Sequence, residues 1–193
     1  MTSEQILELF KKTGAMLEGH FILTSGYHSP HYFQCAKVLQ YPYCNSLFAS
    51  AIAEKFYDKN INVVISPAVG GIVFGTEVGR QLNVRTIFSE RENDIMTLRR
   101  GFELNKSDNV LICEDVVTTG GSVFEVIELV KRNGANLCGV GFIVDRSNGM
   151  VNFGTDQYSL IKTEVIKFKE DEVPEWLRNI PVTKPGSREL KKS

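Results

Sequence analysis

The chain has 193 residues, 22 Lys and Arg against 23 Asp and Glu, and a formal net charge of -1. That length suits one domain with a good-sized core, and the near-neutral balance gives no global pull towards nucleic acid or a membrane surface. No run approaches the roughly 18 apolar residues of a transmembrane helix, and the opening MTSEQILELFKKTG is acidic in part and has no cleavable apolar region, so no signal peptide is expected.

In chain order, residues 3–18 open with Ser3 as an N-cap. Ile6, Leu9, Phe10 and Leu17 fall near helical spacing, which predicts an amphipathic helix. Residues 20–41 mix aromatics with Gly26 and Pro30 and read as short strands around a turn; a helical pattern returns over 43–59. The β-branched run INVVIS (61–66) predicts a buried strand, broken by Pro67, Gly70 and Gly71. A helix over 72–82 and a strand VRTIFS (84–89) follow, then charged residues 90–105 without a clear period. A strand over 109–114, a glycine loop, a helix over 122–133 and a strand LCGVGFIVD (137–145) complete the pattern. The tail TKPGSRELKKS is polar and basic and is expected to fray.

Strands alternating with helices predict right-handed βαβ units and an α/β fold around a parallel sheet. Ligands bind such sheets at the carboxyl ends of the strands. The loops at 66–71, 89–92, 115–121 and 145–149 are therefore expected to converge on one site. Cys35, Cys44, Cys113 and Cys138 lie far apart, with neither a CxxC pair nor zinc spacing. Cys113 and Cys138, inside apolar runs, read as small buried thiols. A reduced, cytoplasmic protein is the expectation.

The stretch VLICEDVVTTGGSV (110–123) carries the chemistry. A loop rich in Gly and hydroxyl residues that enters a helix exposes N–H groups no intrahelical carbonyl claims. With the helix dipole this makes a phosphate cradle. Gly120 and Gly121 admit close backbone approach; Thr118, Thr119 and Ser122 offer hydroxyls. Taken alone, TTGGS also fits an ordinary strand-to-helix turn with Ser or Thr as cap. The adjacent Glu114 and Asp115 change the balance, because two carboxylates repel a phosphate unless they bind hydroxyls or a cation. Ribose has two adjacent hydroxyls, so the joint pattern points to a ribose phosphate. No GxxxxGK[ST] occurs, and Gly139-Val-Gly141 lies within a strand, so neither a P-loop nor a dinucleotide fold is supported.

VLICEDVVTTGGSV resembles the 5-phosphoribosyl 1-diphosphate (PRPP) motif of type I phosphoribosyltransferases. GHFILTSGYHSPHYFQCAKVL (19–39), ERENDIMTLRRGFEL (90–104) and GVGFIVDRSNG (139–149) narrow the resemblance to the orotate phosphoribosyltransferases of the shorter bacterial form, over roughly residues 4–150. The resemblance implies a single phosphoribosyltransferase domain over 1–193 with helices on both faces of a parallel sheet, a small base-site hood at 19–41 and a flexible loop at 90–104. It implies transfer of the phosphoribosyl group from PRPP to orotate with Mg²⁺, giving orotidine 5′-monophosphate and pyrophosphate.

By the same resemblance, Glu114 and Asp115 hold the ribose hydroxyls, the backbone N–H groups of Thr118, Thr119, Gly120, Gly121 and Ser122 hold the 5′-phosphate, and Val116 and Val117 also belong to the PRPP-binding residues. Asp115 also favours positive charge growing on the sugar. Mg²⁺ sits mainly on PRPP oxygens and water, with no dedicated protein cage. Arg146 pairs with the orotate carboxylate, which needs a cation with fork geometry. Thr118, Tyr32 and Phe33 flank the base. Val69 and Gly70, in SPAVGGI (66–72), lie under the pyrophosphate, and the family loop places a cis peptide at Ala68–Val69. Arg91, Arg99 and Arg100 offset the pyrophosphate charge from a loop that reaches into the neighbouring subunit of a homodimer. The chain departs from longer members at Gly70 and Thr24, where they carry lysines, and has no clear counterpart of a histidine after Arg91.

Two other functions share parts of this pattern. A purine-type phosphoribosyltransferase would use the same PRPP motif, but a neutral purine needs no paired guanidinium such as Arg146. A PRPP-sensing regulator would need a basic face or an appended DNA-binding unit, which the charge balance disfavours. His20, His28 and His31 lie near the expected base site and read as packing or hydrogen-bonding residues. Trp176 and Leu177, after Pro174, fit a short docked helix.

Overall fold

In the computed structural model, which describes residues 1–23, 25–163 and 166–184, the first helix is α1 (Ser3–Lys12). Its cap is Thr2, not Ser3. Thr2 Oγ1 accepts from the Gln5 N–H at 3.3 Å, and Gln5 Oε1 accepts from the Thr2 N–H at 2.9 Å, a reciprocal capping box. The helix also ends earlier than residue 18. Gly14 takes φ +65°, which turns the chain and sends Leu17 into strand β1 (Met16–Ile22). β1 pairs antiparallel with β2 (His28–Phe33), so the aromatic segment does form short strands around a turn.

Two helices follow, α2 (Ala36–Leu39) and α3 (Pro42–Lys55), the latter opened by Pro42 in its first turn. β3 (Val63–Pro67) is buried throughout, and α4 (Gly70–Leu82) starts at the glycine pair that was expected only to break the strand. β4 (Arg85–Glu92) runs on into the charged segment and returns as β5 (Ile95–Leu98). Residues 90–104, expected from sequence to be a flexible loop without a clear period, thus form a hairpin as far as Leu98. The cause is local: Asn93 and Asp94 take φ +51° and +62°, and Glu92 pairs with Ile95, the pattern of a two-residue turn with both central residues left-handed. Met96 and Leu104 are buried in the core from this segment.

β6 (Asn109–Val117), α5 (Gly121–Arg132), β7 (Asn136–Asp145) and β8 (Gln157–Lys162) complete a six-stranded sheet in the order β5-β4-β3-β6-β7-β8. All neighbours are parallel except β4 and β5. Period-two alternation sends Val64, Leu111 and Cys113 to one face, against Phe10, Phe48 and Phe74 of α1, α3 and α4. Ile65, Val110 and Ile112 go to the other face, against Val123, Val126 and Val130 of α5. Burial of each such side chain stabilises the fold by roughly 1.5–3 kcal/mol. Helices on both faces follow from strands apolar on both faces. Cys113 is buried as expected; Cys138, near the start of β7 and before its pairing with β8 begins at Val140, is only half-buried, which corrects the reading of a buried thiol.

The end of the described chain returns to the first sheet. α6 (Glu175–Arg178) buries Leu177 completely while Trp176 stays 56% exposed, so Leu177 alone docks. β9 (Val182–Thr183) pairs parallel with β1, making the three-stranded hood sheet β2-β1-β9. His20 and His28 are buried here with ring nitrogens 2.6 Å apart, and His20 Nδ1 lies 3.2 Å from the Ile180 carbonyl. The tail expected to fray lies, from residue 185 on, outside the described residues, as does Thr24.

Candidate active site

The two acids stand near the carboxyl end of β6. The sequence pattern ended that strand at Glu114, but β7 stays in register through Val117 opposite Asp145 and carries the ladder past both acids. Each carboxylate curls back onto the backbone: Glu114 Oε1 accepts from the Asp115 N–H at 3.1 Å, and Asp115 Oδ1 from the Val116 N–H at 2.9 Å. The amino end of α4 is pressed against them. A Cβ at Gly70 would lie 2.6 Å from Asp115 Oδ2, and one at Gly71 would lie 3.0 Å from Glu114 Oε1, so glycine is required for this approach. Burial raises the Glu114 carboxyl well above the ordinary glutamate value, with the neighbouring Asp115 charge adding to it; burial also raises Asp115. The pair is held in a state that hydroxyl donors or a cation would relieve.

Beyond the acids the chain leaves the sheet and enters α5. Gly120 caps that helix with φ +76°, in place of the Ser or Thr cap an ordinary turn would use. A Cβ there would meet the Phe153 ring at 2.9 Å and Val151 at 3.0 Å. Among the described residues, the backbone N–H groups of Thr119, Gly120, Gly121 and Ser122 find no protein acceptor outside the helix ladder. They form an open row of donors at a helix amino terminus, suited to an anion. Val117 belongs elsewhere: its side chain is in the core, and its carbonyl accepts from the Arg146 N–H at 2.8 Å.

Arg146 follows β7 directly. Its loop is fixed by Ser147, whose backbone N–H and hydroxyl both donate to Asp145 Oδ1 at 2.8 and 2.6 Å. The guanidinium lies 6.0 Å from the centre of the Phe33 ring, within cation–π range. Its Nε is buried without a hydrogen-bond partner among the described residues, and burial lowers its pKa. A half-buried guanidinium with a buried, unused donor calls for an anion.

One cavity of about 690 Å³ joins these parts. Tyr32 and Phe33 from β2, Asp115 and Val116 from β6, Thr118 and Thr119 from the turn, and Arg146 all line it. Sequence reasoning missed Gln34, Cys35 and Ser147, and also Lys167, which reaches the same cavity from beyond β8. Gln34 and Cys35 stood inside the quoted hood motif, so the signal was present. Lys167 had none, since its approach depends on how the chain returns after the sheet.

The remaining expected residues lie outside the lining of this cavity. The peptide Ala68–Val69 is cis, Val69 is 79% exposed and Gly70 abuts Asp115, so this loop adjoins the acid pair. Arg91, Arg99 and Arg100 do not line the cavity. Each pairs with a nearby carboxylate: Arg91 with Glu125 at 2.8 Å, Arg99 with Glu92 at 3.5 Å and Arg100 with Glu90 at 2.7 Å. Among the described residues, no group of three or more His, Cys, Asp or Glu side chains is arranged to hold a metal.

Residues 41–175 match the family model described as "Phosphoribosyl transferase domain". The chain is 55% identical over 190 residues to the orotate phosphoribosyltransferase of Chlorobium phaeobacteroides (strain BS1), covering 98% of each. It is 54% identical over 188 residues to that of Chlorobaculum parvum (strain DSM 263 / NCIMB 8327), covering 97% of each. Among solved structures, orotate phosphoribosyltransferase from Aeropyrum pernix superposes with a TM-score of 0.71 at 23% identity, over 81% of this chain and 93% of that one. Adenine phosphoribosyltransferase from Thermoanaerobacter pseudethanolicus superposes at 0.60 and 17%, over 69% and 88%.

Proposed function

The chain belongs to the orotate phosphoribosyltransferases, and from that premise we propose how its cleft divides the work of the reaction. The enzyme transfers the 5-phosphoribosyl group from PRPP to orotate, giving orotidine 5′-monophosphate and pyrophosphate in pyrimidine biosynthesis. Pyrophosphate leaves with the electrons of its bond to the anomeric carbon, and a ring nitrogen of orotate bonds there in its place, giving up its proton to water or to the departing pyrophosphate. Such a displacement asks for positioning and charge stabilisation more than for acid–base groups.

In our reading the 5′-phosphate rests on the free N–H row of 118–122, and Glu114 and Asp115 take the ribose hydroxyls. Asp115, which faces the cavity, stabilises positive charge on the sugar as the pyrophosphate departs. Orotate lies between Tyr32, Phe33 and Thr118 with its carboxylate on Arg146. The observation that carries this assignment is the buried, unpartnered Nε of Arg146 in the same cavity as Asp115. Mg²⁺, bound with PRPP, would neutralise part of the pyrophosphate charge. The uncompensated burial of the acid pair fits a nearby cation, and Glu114 and Asp115 are the residues at hand to support it.

Arg91, Arg99 and Arg100 are assigned to the pyrophosphate in a homodimer with shared sites, by exchanging their present carboxylate partners for the polyanion. We place the reaction in the cytoplasm. No helix among the described residues is long and apolar enough to cross a membrane. The test is an initial-rate assay of the purified protein with PRPP, Mg²⁺ and either orotate or adenine. Turnover of orotate alone is expected; turnover of adenine would transfer the Arg146 assignment to a different base.

A further inference from the structure

The segment after β8 contributes a cation to the cavity, and nothing in the phosphoribosyl motif accounts for it. Lys167 lines the same space as Arg146, Tyr32 and Asp115. Its position is set by bonds on both sides. On one side the Ser29 hydroxyl donates to the Ile166 carbonyl at 2.9 Å. On the other, Phe168 and His28 exchange backbone hydrogen bonds in both directions, at 2.9 and 2.8 Å. Ser29 is 1% exposed and His28 9%, so this anchorage is part of the buried hood sheet. The Lys167 ammonium lies 5.1 Å from the centre of the Tyr27 ring, within cation–π range, which directs the side chain along the hairpin between β1 and β2.

The placement matters because the cavity lining carries both signs, Asp115 against Arg146 and Lys167. Asp115 and the start of the turn, Thr118 and Thr119, belong to the part that we assign to the sugar phosphate. The other has the hood aromatics, Arg146 and Lys167. Of the two substrates, orotate is the one that belongs at the hood side, and its carboxylate is its single formal charge at neutral pH. An exposed ammonium at the mouth of a cavity attracts an anion on approach, and it gains strength when the ligand excludes water from around it.

We propose that Lys167 is a second orotate-binding residue, a cation at the cavity mouth that selects an anionic base alongside Arg146. The proposal rests on the orotate reading above. It gives the segment beyond β8 a part in substrate choice: the two-way bridge between Phe168 and His28 fixes Lys167 to the same sheet that carries Tyr32 and Phe33, so base-stacking and charge are positioned together.

Initial rates measured for wild type, Lys167→Met and Lys167→Arg, with each substrate varied at saturating levels of the other, test this. Lys167→Met is expected to raise the orotate KM about three- to tenfold, the range between an exposed ion pair and a partly desolvated one. PRPP KM should stay within about twofold, and Lys167→Arg should recover most of the loss. Inhibition by uracil, which lacks the carboxylate, should be the same in wild type and Lys167→Met. An unchanged orotate KM in Lys167→Met overturns the proposal. So does an equal rise in both KM values, or a lowered melting temperature with no substrate selectivity, since each shows a merely structural lysine. Failure of the wild type to turn over orotate would instead strike the underlying functional reading.

Discussion

Replacing Asp115 with Asn keeps the side chain's shape and its bond from the Val116 N–H, but removes the charge that faces the cavity. Asp115→Asn should therefore fold normally and lose about 2–4 kcal/mol of transition-state stabilisation, read as a fall in kcat/KM for PRPP. An unchanged kcat/KM would remove Asp115 from the mechanism. Its neighbour Glu114 makes a pH prediction. Burial raises its pKa above the usual 4.5, so the folded protein binds more protons than the unfolded chain as pH climbs past that value. Stability then falls with rising pH through that window. Thermal melts of the ligand-free protein from about pH 5 to about pH 8 should show this decline, and Glu114→Gln should flatten it. Equal slopes for the two proteins would contradict the assignment. The acids and the glycine turn were legible in the residues themselves, because two carboxylates beside a Gly- and hydroxyl-rich strand-to-helix turn suit a ribose phosphate; Thr118 and Arg146 were legible as base contacts through the resemblance of their motifs to the family's. The demand for Gly70 and Gly71 was not, because it arises from the close approach of α4 to β6, elements some 40 residues apart along the chain.

The β4–β5 hairpin shows where a local signal was read too weakly. Asn93-Asp94 between residues of alternating burial is a two-residue turn signal, yet the density of charge made the segment read as irregular. The strands themselves were well marked by β-branched runs, whereas β8 and β9 were missed. β8 lies on the sheet edge with the mixed sequence QYSLIK, and β9 has only two residues. The hairpin's arginines now hold carboxylates on its own strands and on α5, at exposed sites where solvent screening leaves each pair little weight in stability. Such pairs exchange readily for a polyanion. The Arg99/Arg100 double alanine should therefore raise PRPP KM while leaving the melting temperature within a degree or two of wild type, about the reach of weak surface pairs. A large loss of thermal stability with normal PRPP KM would make these arginines structural.

At the scale of the whole molecule, the proposed homodimer supplies each site with a hairpin from the other subunit. Mixing Asp115→Ala with the Arg99/Arg100 double alanine should rebuild one intact site per heterodimer, recovering up to about a quarter of full activity with random exchange. No recovery despite demonstrated exchange would mean the hairpin serves its own subunit. The overall order of strands and helices was readable from alternation alone, and it predicted convergence of the loops at 66–71, 89–92, 115–121 and 145–149; residues 89–92 instead continue β4 and do not line the cavity. The closing of the hood sheet by the end of the chain was not readable, because β9 reaches β1 across some 160 residues. The central claim is that the base end of this cleft is built for a carboxylate and the other end for the sugar phosphate. Its most direct test is Arg146→Ala with both substrates varied. Loss of a charge-assisted bidentate contact should raise orotate KM about ten- to a hundredfold and leave PRPP KM nearly unchanged. Equal changes for both substrates, or none for orotate, would contradict it.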